Sequence, residues 1–239
     1  MTDPRNRLIV ALDFPSLESA LALVRALRSQ VSLFKVGLEL FNAAGPGAIA
    51  ALRELGARVF YDAKFHDIPN TVAGAAAAAG RMGVWMVNVH APGGRAMMQA
   101  AKQGAARGAA EAGFPPPLVI GVTVLTSLSD SDLSEELGFS ESAEQTVLRL
   151  AQLAKAAGLD GVVASVREAA DIRQMCGREF VIVTPGIRPA WAEAGDQARI
   201  ATPRAALEAG ADYLVIGRPI THADDPRQAL SRVLDEMAA

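Results

Sequence analysis

The chain has 239 residues, 51% hydrophobic and 21% charged, with a formal net charge of −3. That length and apolar content fit one large globular domain with an ample core, and the near-neutral balance, without a basic cluster, argues against nucleic-acid or anionic-membrane partners. A lone cysteine, Cys176, rules out an intrachain disulfide; with a polar start at residues 1–7 and no uninterrupted apolar run long enough to span a bilayer, it points to a cytoplasmic protein.

Short apolar runs alternate with alanine- and leucine-rich stretches along the whole chain. The first run, 8–13, ends in Ala11-Leu12-Asp13, and the second, 33–37, carries Lys35. The third, 58–64, contains Val59, Phe60 and Tyr61, types that favour extended backbone, and Pro69 beyond it suits the first turn of a helix. Runs at 84–91, 118–125 and 161–165 follow. Between the fifth and sixth, Ser142 and Gln145 fit a capping box, and Val147, Leu150, Ala151 and Ala154 share one helical face. The last two runs are 180–186 and 213–220. Thr202-Pro203 and Asp225-Pro226 read as a cap followed by a first helical residue, and Gly158 and Gly210 as glycines that close helices. Cys176 reads as a small, partly buried helical residue. Eight strand–helix units, with strands apolar enough to be buried on both faces, predict an α/β fold, a (β/α)8 TIM barrel forming a single domain over 1–239. An open doubly wound sheet competes, but no glycine-rich dinucleotide fingerprint follows the first strand. The longest irregular segments, 126–140 and 188–201, leave C-terminal strand ends, where barrel active sites lie.

The segment Asp62-Ala63-Lys64-Phe65-His66-Asp67-Ile68-Pro69-Asn70-Thr71 is the most informative stretch for function. Alternation along a strand puts Asp62 and Lys64 on one side as neighbours, and Asp67 adds a second carboxylate. Taken alone, the segment also fits an ion pair plus an acidic residue near a helix N-terminus. The other strand ends favour function. Asp13, Lys35, Asp62, Lys64, His90, Thr126, Ser127, Ser165, Arg188 and Arg218 all fall there, so two lysines and two aspartates converge on the barrel mouth. Of the 23 basic residues only Lys35, Lys64, Lys102 and Lys155 are lysine, the type that can give up a proton usefully. His90 reads as a structural or supporting residue, and His222 as exposed.

Thr184-Pro185-Gly186-Ile187-Arg188 and Ile216-Gly217-Arg218 follow the last two strands, whose loops in such barrels frequently bind phosphate. Gly195-Asp196-Gln197 lies in the second irregular segment and would place Gln197 over a bound ligand as part of a lid. No histidine or cysteine spacing suggests a metal site, and no serine or cysteine nucleophile adjoins a histidine.

Together these motifs resemble the orotidine 5′-phosphate decarboxylase family over essentially the whole chain. The matching pieces are Ala-Leu-Asp13, Lys35-Val-Gly, the stretch from Asp62 to Thr71, Val-Asn-Val-His90, Thr-Val-Leu-Thr126-Ser127, Thr-Pro-Gly-Ile-Arg188-Pro, Gly-Asp-Gln197 and Ile-Gly217-Arg218-Pro. Ala63 departs from the leucine of close relatives, at a position the strand alternation turns away from the site. The resemblance implies a homodimeric, cofactor-free and metal-independent lyase that converts orotidine 5′-phosphate to UMP and CO2 in pyrimidine biosynthesis. It implies that Lys64 is the general acid that protonates C6 of the pyrimidine. Lys35, Asp62, Lys64 and Asp67 would form an alternating charge network, with Asp67 and Thr71 donated by the neighbouring subunit. Asp13, Lys35 and Thr71 would hold ribose hydroxyls, Ile68 would join the substrate contacts, and Thr126 and Ser127 would contact the base. Gln197 would bridge base and phosphate, and Arg188, Gly217 and Arg218 would take the phosphate.

Two other readings compete. A related barrel lyase acting on a keto-sugar phosphate shares an Asp-x-Lys-x-x-Asp core but needs a divalent metal and an enediolate; Thr126-Ser127 and the 188–197 segment suit a nucleotide better. A non-catalytic nucleotide-binding barrel would be signalled by loss of a network lysine or aspartate, and all four are present.

Overall fold

The apolar runs become eight parallel strands joined in chain order, the eighth pairing with the first, so the sheet closes into the expected barrel. The strands are β1 (Leu8–Ala11), β2 (Leu33–Val36), β3 (Arg58–Phe65), β4 (Met86–His90), β5 (Leu118–Val122), β6 (Gly161–Val163), β7 (Val181–Thr184) and β8 (Tyr213–Ile216). The computed structural model describes residues 3–192 and 201–238. Helices α1 (Leu17–Leu27), α2 (Leu38–Ala44), α3 (Pro46–Glu54), α4 (Pro69–Arg81), α5 (Gly94–Glu111), α6 (Ala143–Ala156), α7 (Val166–Cys176) and α8 (Pro203–Glu208) lie in the crossovers, and α9 (Arg218–Thr221) and α10 (Pro226–Ala238) follow β8.

Side-chain alternation divides the apolar residues into two layers. Ile9, Leu33, Phe60, Met86, Ile120 and Val183 form one buried cluster filling the barrel. Neighbours such as Val10, Phe34, Val59 and Val87 pack instead into the larger cluster shared with the helices. Burial on both faces explains why β1 and β2 are buried at every residue.

Local signals act as the sequence predicts. Ser142 and Gln145 form a reciprocal capping box on α6, the Thr202 side chain caps α8, and the Asp225 carboxylate accepts from two backbone N–H groups at the start of α10. Gly158 and Gly210 take positive φ just past α6 and α8. Cys176 is the buried last residue of α7.

The ladders are shorter than most of the apolar runs. The run predicted as strand over 213–220 stops pairing at Ile216, and Arg218–Thr221 turns into α9. Pro219 explains this, because it lacks an N–H for a ladder yet suits a first helical turn. Likewise Val124 and Leu125 lie beyond β5, and the 126–140 stretch contains a π-helical turn at Asp132–Glu136.

Two departures from regularity bear on the site. Pairing between β3 and β4 passes from Tyr61↔Val87 to Phe65↔Val89, so three residues of β3 face one of β4. Within that bulge Lys64 has φ +51°, the only non-glycine among the described residues with positive φ. Outside the barrel, α4 and α5 approach closely through Gly80, Gly104 and Gly108, where an added Cβ would overlap the other helix's backbone.

Candidate active site

Four charged side chains at the C-terminal ends of β1, β2 and β3 form one chain of ion pairs. Lys35 Nζ lies 3.0 Å from Asp13 Oδ1 and 3.2 Å from Asp62 Oδ2, and Lys64 Nζ lies 2.7 Å from Asp62 Oδ1. Parallel pairing sets the spacing: Lys35 on β2 is in register with Ala11 on β1 and Phe60 on β3, so Asp13 and Asp62 both sit two residues beyond its partners. Gly37 leaves the space, since a Cβ there would lie 2.9 Å from Lys35 Nζ and 3.1 Å from Asp13 Oδ1.

Burial raises the stakes of this pairing. Burial alone would lower the Lys35 pKa, but the charges of Asp62 and Asp13 outweigh it and the net direction is upward. Burial alone would raise the Asp62 pKa, but Lys35 and Lys64, with hydrogen bonds from Lys64 and Asn88, bring it below the ordinary carboxylate value. Both groups are therefore charged at neutral pH. His90, whose ring centroid lies 5.6 Å from that of His66, has its pKa lowered first by burial and then by the His66 and Lys64 charges, against the opposing pull of Asp62. It is neutral, which suits the supporting part the sequence suggests.

The charged chain borders a cavity of about 160 Å³ lined by Lys35, Asp62, Lys64 and Thr126 and by apolar residues. Phe60, Val163, Val183 and Val215 line it and also belong to the barrel filling, so the cavity sits directly on that core. A second cavity, about 380 Å³, is lined by Arg188, Trp191, Arg218 and His222. The two are neighbours: the β7 loop gives Pro185 to one and Arg188 to the other, and β8 gives Val215 and then Arg218. A mostly apolar chamber with fixed ammonium groups beside an arginine-lined recess suits a ligand with a flat, weakly polar end and an anionic end.

The structure thus brings together Lys35, Asp62, Lys64 and Thr126 at one cavity, with Asp13 joined to them through Lys35, and Arg188 and Arg218 at the next. Ser165 lines neither cavity; it is buried and caps α7, next to the lining residue Ala164. Ser127 is exposed beside Thr126, and Gly217 is the N-cap of α9. Asp67, Ile68 and Thr71 are exposed on the loop and first turn after β3, and the Asp67 carboxylate accepts from the Ile68 N–H at 2.6 Å rather than meeting a lysine of its own chain. Gln197, with Gly195 and Asp196, lies outside the described residues. His222 is exposed, as expected, but on the rim of the arginine recess.

Sequence reasoning missed Asn88 as a member of the site. Its amide donates to Asp62 Oδ1 at 2.7 Å and accepts from the Lys64 N–H at 2.7 Å. A polar residue between Val87 and Val89, inside a run otherwise buried on both faces, was the available signal. Among the described residues no three His, Cys, Asp or Glu side chains group as a metal site, and no helix is long and apolar enough to cross a membrane.

Comparison with known proteins gives one consistent result. The family model described as "Orotidine 5'-phosphate decarboxylase / HUMPS family" matches residues 6–233. An orotidine 5′-phosphate decarboxylase of Moorella thermoacetica is 55% identical over 233 residues, covering 98% of this chain and 92% of that protein. Another, from Syntrophotalea carbinolica, is 53% identical over 239 residues, covering 100% and 98%. The crystal structure of the orotidine 5′-phosphate decarboxylase of Lactobacillus acidophilus superposes with a TM-score of 0.87 at 39% identity, covering 98% and 100% of the two chains. An uncharacterized conserved protein of Geobacillus kaustophilus gives a TM-score of 0.85 at 43% identity, covering 96% and 99%.

Proposed function

Because the chain belongs to the orotidine 5′-phosphate decarboxylase / HUMPS family, we propose that it converts orotidine 5′-phosphate to UMP and CO2, with Lys64 supplying the proton and with neither cofactor nor metal. The protein is a decarboxylase, a carboxy-lyase. The observation that carries the finer reading is the Asp13–Lys35–Asp62–Lys64 chain at the edge of a largely apolar cavity.

The chemistry needs what this chain of charges offers. Breaking the C6–CO2 bond leaves an electron pair on a ring carbon that no cofactor delocalises. An ammonium held at that carbon stabilises the developing charge and then gives its proton to form the C6–H bond. The neutral amine left on Lys64 regains a proton from water. Asp62, sharing its oxygens between the two lysines, fixes where the Lys64 ammonium points, and pre-placed charge needs no reorganisation at the moment of reaction. Repulsion between Asp62 and the substrate carboxylate would add a ground-state contribution, which ranks below transition-state stabilisation.

The remaining contacts are those that membership of the family suggests. Asp13 and Lys35 would hold the ribose, Thr126 and Ser127 the base, and Arg188, Gly217 and Arg218 the phosphate, with Gln197 bridging base and phosphate. Phosphate contacts remote from the reacting carbon can drive closure and orientation. Asp67 and Thr71 would reach a second copy's site in a homodimer, a reading supported by their exposure after β3. The whole chain would act as one catalytic domain in the cytoplasm, in pyrimidine biosynthesis.

The test is an absorbance assay of purified protein with orotidine 5′-phosphate in excess EDTA, beside the Lys64→Ala variant. Conversion to UMP by the parent, and loss of turnover in a variant that melts like the parent, is the expected result. Substantial turnover by Lys64→Ala would remove the role given to that lysine. A parent inactive here but active on a sugar phosphate once magnesium is restored would favour the metal-dependent alternative.

A further inference from the structure

Asn88 is 1% exposed, in the middle of β4, where a primary amide has no access to water. Such a group is costly to bury unless both its polar ends are bonded. Both are, and both partners are residues of the charged chain: Nδ2 donates to Asp62 Oδ1 and Oδ1 accepts from the Lys64 N–H, each at 2.7 Å. The orientation of the amide follows from chemistry, since a carboxylate only accepts and a backbone N–H only donates; a flipped amide would lose both bonds.

The position of Asn88 matters as much as its bonds. It is the single β4 residue facing the bulge of Asp62, Ala63 and Lys64, between the Tyr61↔Val87 and Phe65↔Val89 pairs. In the bulge the regular ladder is interrupted, and Lys64 adopts the left-handed backbone that side chains rarely take. The Asn88 side chain supplies the Lys64 N–H with an acceptor there. The same Asp62 oxygen that receives the Asn88 amide also receives Lys64 Nζ at 2.7 Å. Lys64 is thus held at both ends, by its backbone and its ammonium, through one closed ring of hydrogen bonds. Asn88 does not line the cavity, whereas both partners of its side chain do.

We propose that Asn88 is a positioning residue of this site: it holds Lys64 in its left-handed bulge and steadies Asp62, and so aims the ammonium into the cavity. The proposal rests on the decarboxylase reading for its kinetic test, but its geometric content does not.

Asn88→Ala and Asn88→Asp would be assayed on orotidine 5′-phosphate beside the parent, with kcat and KM separated, pH varied and thermal melts recorded. Asn88→Ala is expected to lower kcat by about 10²-fold with a much smaller change in KM, the cost of misplacing a reacting group by about an ångström. Asn88→Asp is the sharper variant. Protonated, the introduced carboxyl can still donate to Asp62 and accept from the Lys64 N–H; ionised, it opposes Asp62. Its kcat relative to the parent should therefore be highest at low pH and fall as pH rises, whereas a general packing defect would give a ratio independent of pH. A parent-like kcat in Asn88→Ala, or a flat ratio in Asn88→Asp, would overturn the proposal. An inactive parent would count against the decarboxylase reading alone. In that case a crystal structure of Asn88→Ala decides: Lys64 should leave positive φ and its Nζ should move off Asp62, and an unchanged Lys64 would refute the role of Asn88.

Discussion

Two lysines share Asp62, with Lys35 Nζ 3.2 Å from one oxygen and Lys64 Nζ 2.7 Å from the other. The Asp62 pKa is lowered in the fold, so its stabilising contribution is present above the ordinary 3.8 and is lost as pH falls through the depressed value. The Lys35 pKa is raised, so its contribution is present below the ordinary 10.5 and is lost as pH rises through the raised value. The pair is therefore intact across the neutral range. Asp62→Asn would leave the buried Lys35 with only the exposed Asp13 as counter-charge. It should destabilise the protein by roughly 3 kcal/mol at pH 7, the cost of removing one partner from a buried pair. Burial would then dominate Lys35 and lower its pKa, so the deficit should shrink between pH 7 and about pH 10 as the amine deprotonates. Urea melts of both proteins at the two pH values measure this, and a deficit that stays constant or grows would contradict the assigned balance. Lys35, Asp62 and Lys64 were legible in the sequence because charged types stand out in apolar strand ends. Asn88 and Gly37 were not, because their value depends on what lies across the ladder: an amide facing a bulge, and a missing Cβ beside an ion pair.

At the scale of elements, the loop carrying Asp67 leads into α4, and α4 is seated on α5 by glycine. A Cβ on Gly108 would overlap the Ala77 carbonyl, and one on Gly104 the Ala73 carbonyl. Two effects compete in Gly108→Ala. Helix propensity favours alanine by about 1 kcal/mol. Overpacking against rigid backbone costs about 1–3 kcal/mol, and more where a backbone atom rather than a flexible side chain must move. The clash should win, so Gly108→Ala is expected to lower Tm by several degrees, at roughly 2–4 °C per kcal/mol for a chain of this size. A rise in Tm would mean that α4 and α5 separate more easily than their geometry suggests. Barrel order was legible because each strand is a short apolar run between helix signals. Strand ends were overrun where apolar residues continue past the ladder, as at Val124 and Leu125, and where Pro219 redirects the chain into α9. The bulge in β3 left no mark of its own, since the alternation that places Asp62 beside Lys64 in sequence is met in the structure by an irregular backbone instead.

For the whole molecule, the arrangement within one chain leaves the sequence's four-member network with three members in contact. Asp67 lies on the surface bonded to its own Ile68 N–H, and Ile68 beside it is 67% exposed, an unusual setting for a large apolar side chain. Both facts are accounted for if a two-fold partner receives this loop, each copy completing the other's site. Mixing two inactive variants separates the shared from the self-contained arrangement. A Lys64→Ala chain still offers Asp67, and an Asp67→Ala chain still offers Lys64, so a heterodimer rebuilds one intact site and leaves the other doubly defective. With random reassortment of equal amounts, half of the dimers are mixed, and the expected recovery is about one quarter of parent activity. The mixture must be unfolded and refolded together, or exchanged long enough for subunits to reassort, with each variant refolded alone as the control. If Asp67 instead served its own chain after a loop movement, every site in every dimer would lack one residue and no mixture would recover activity.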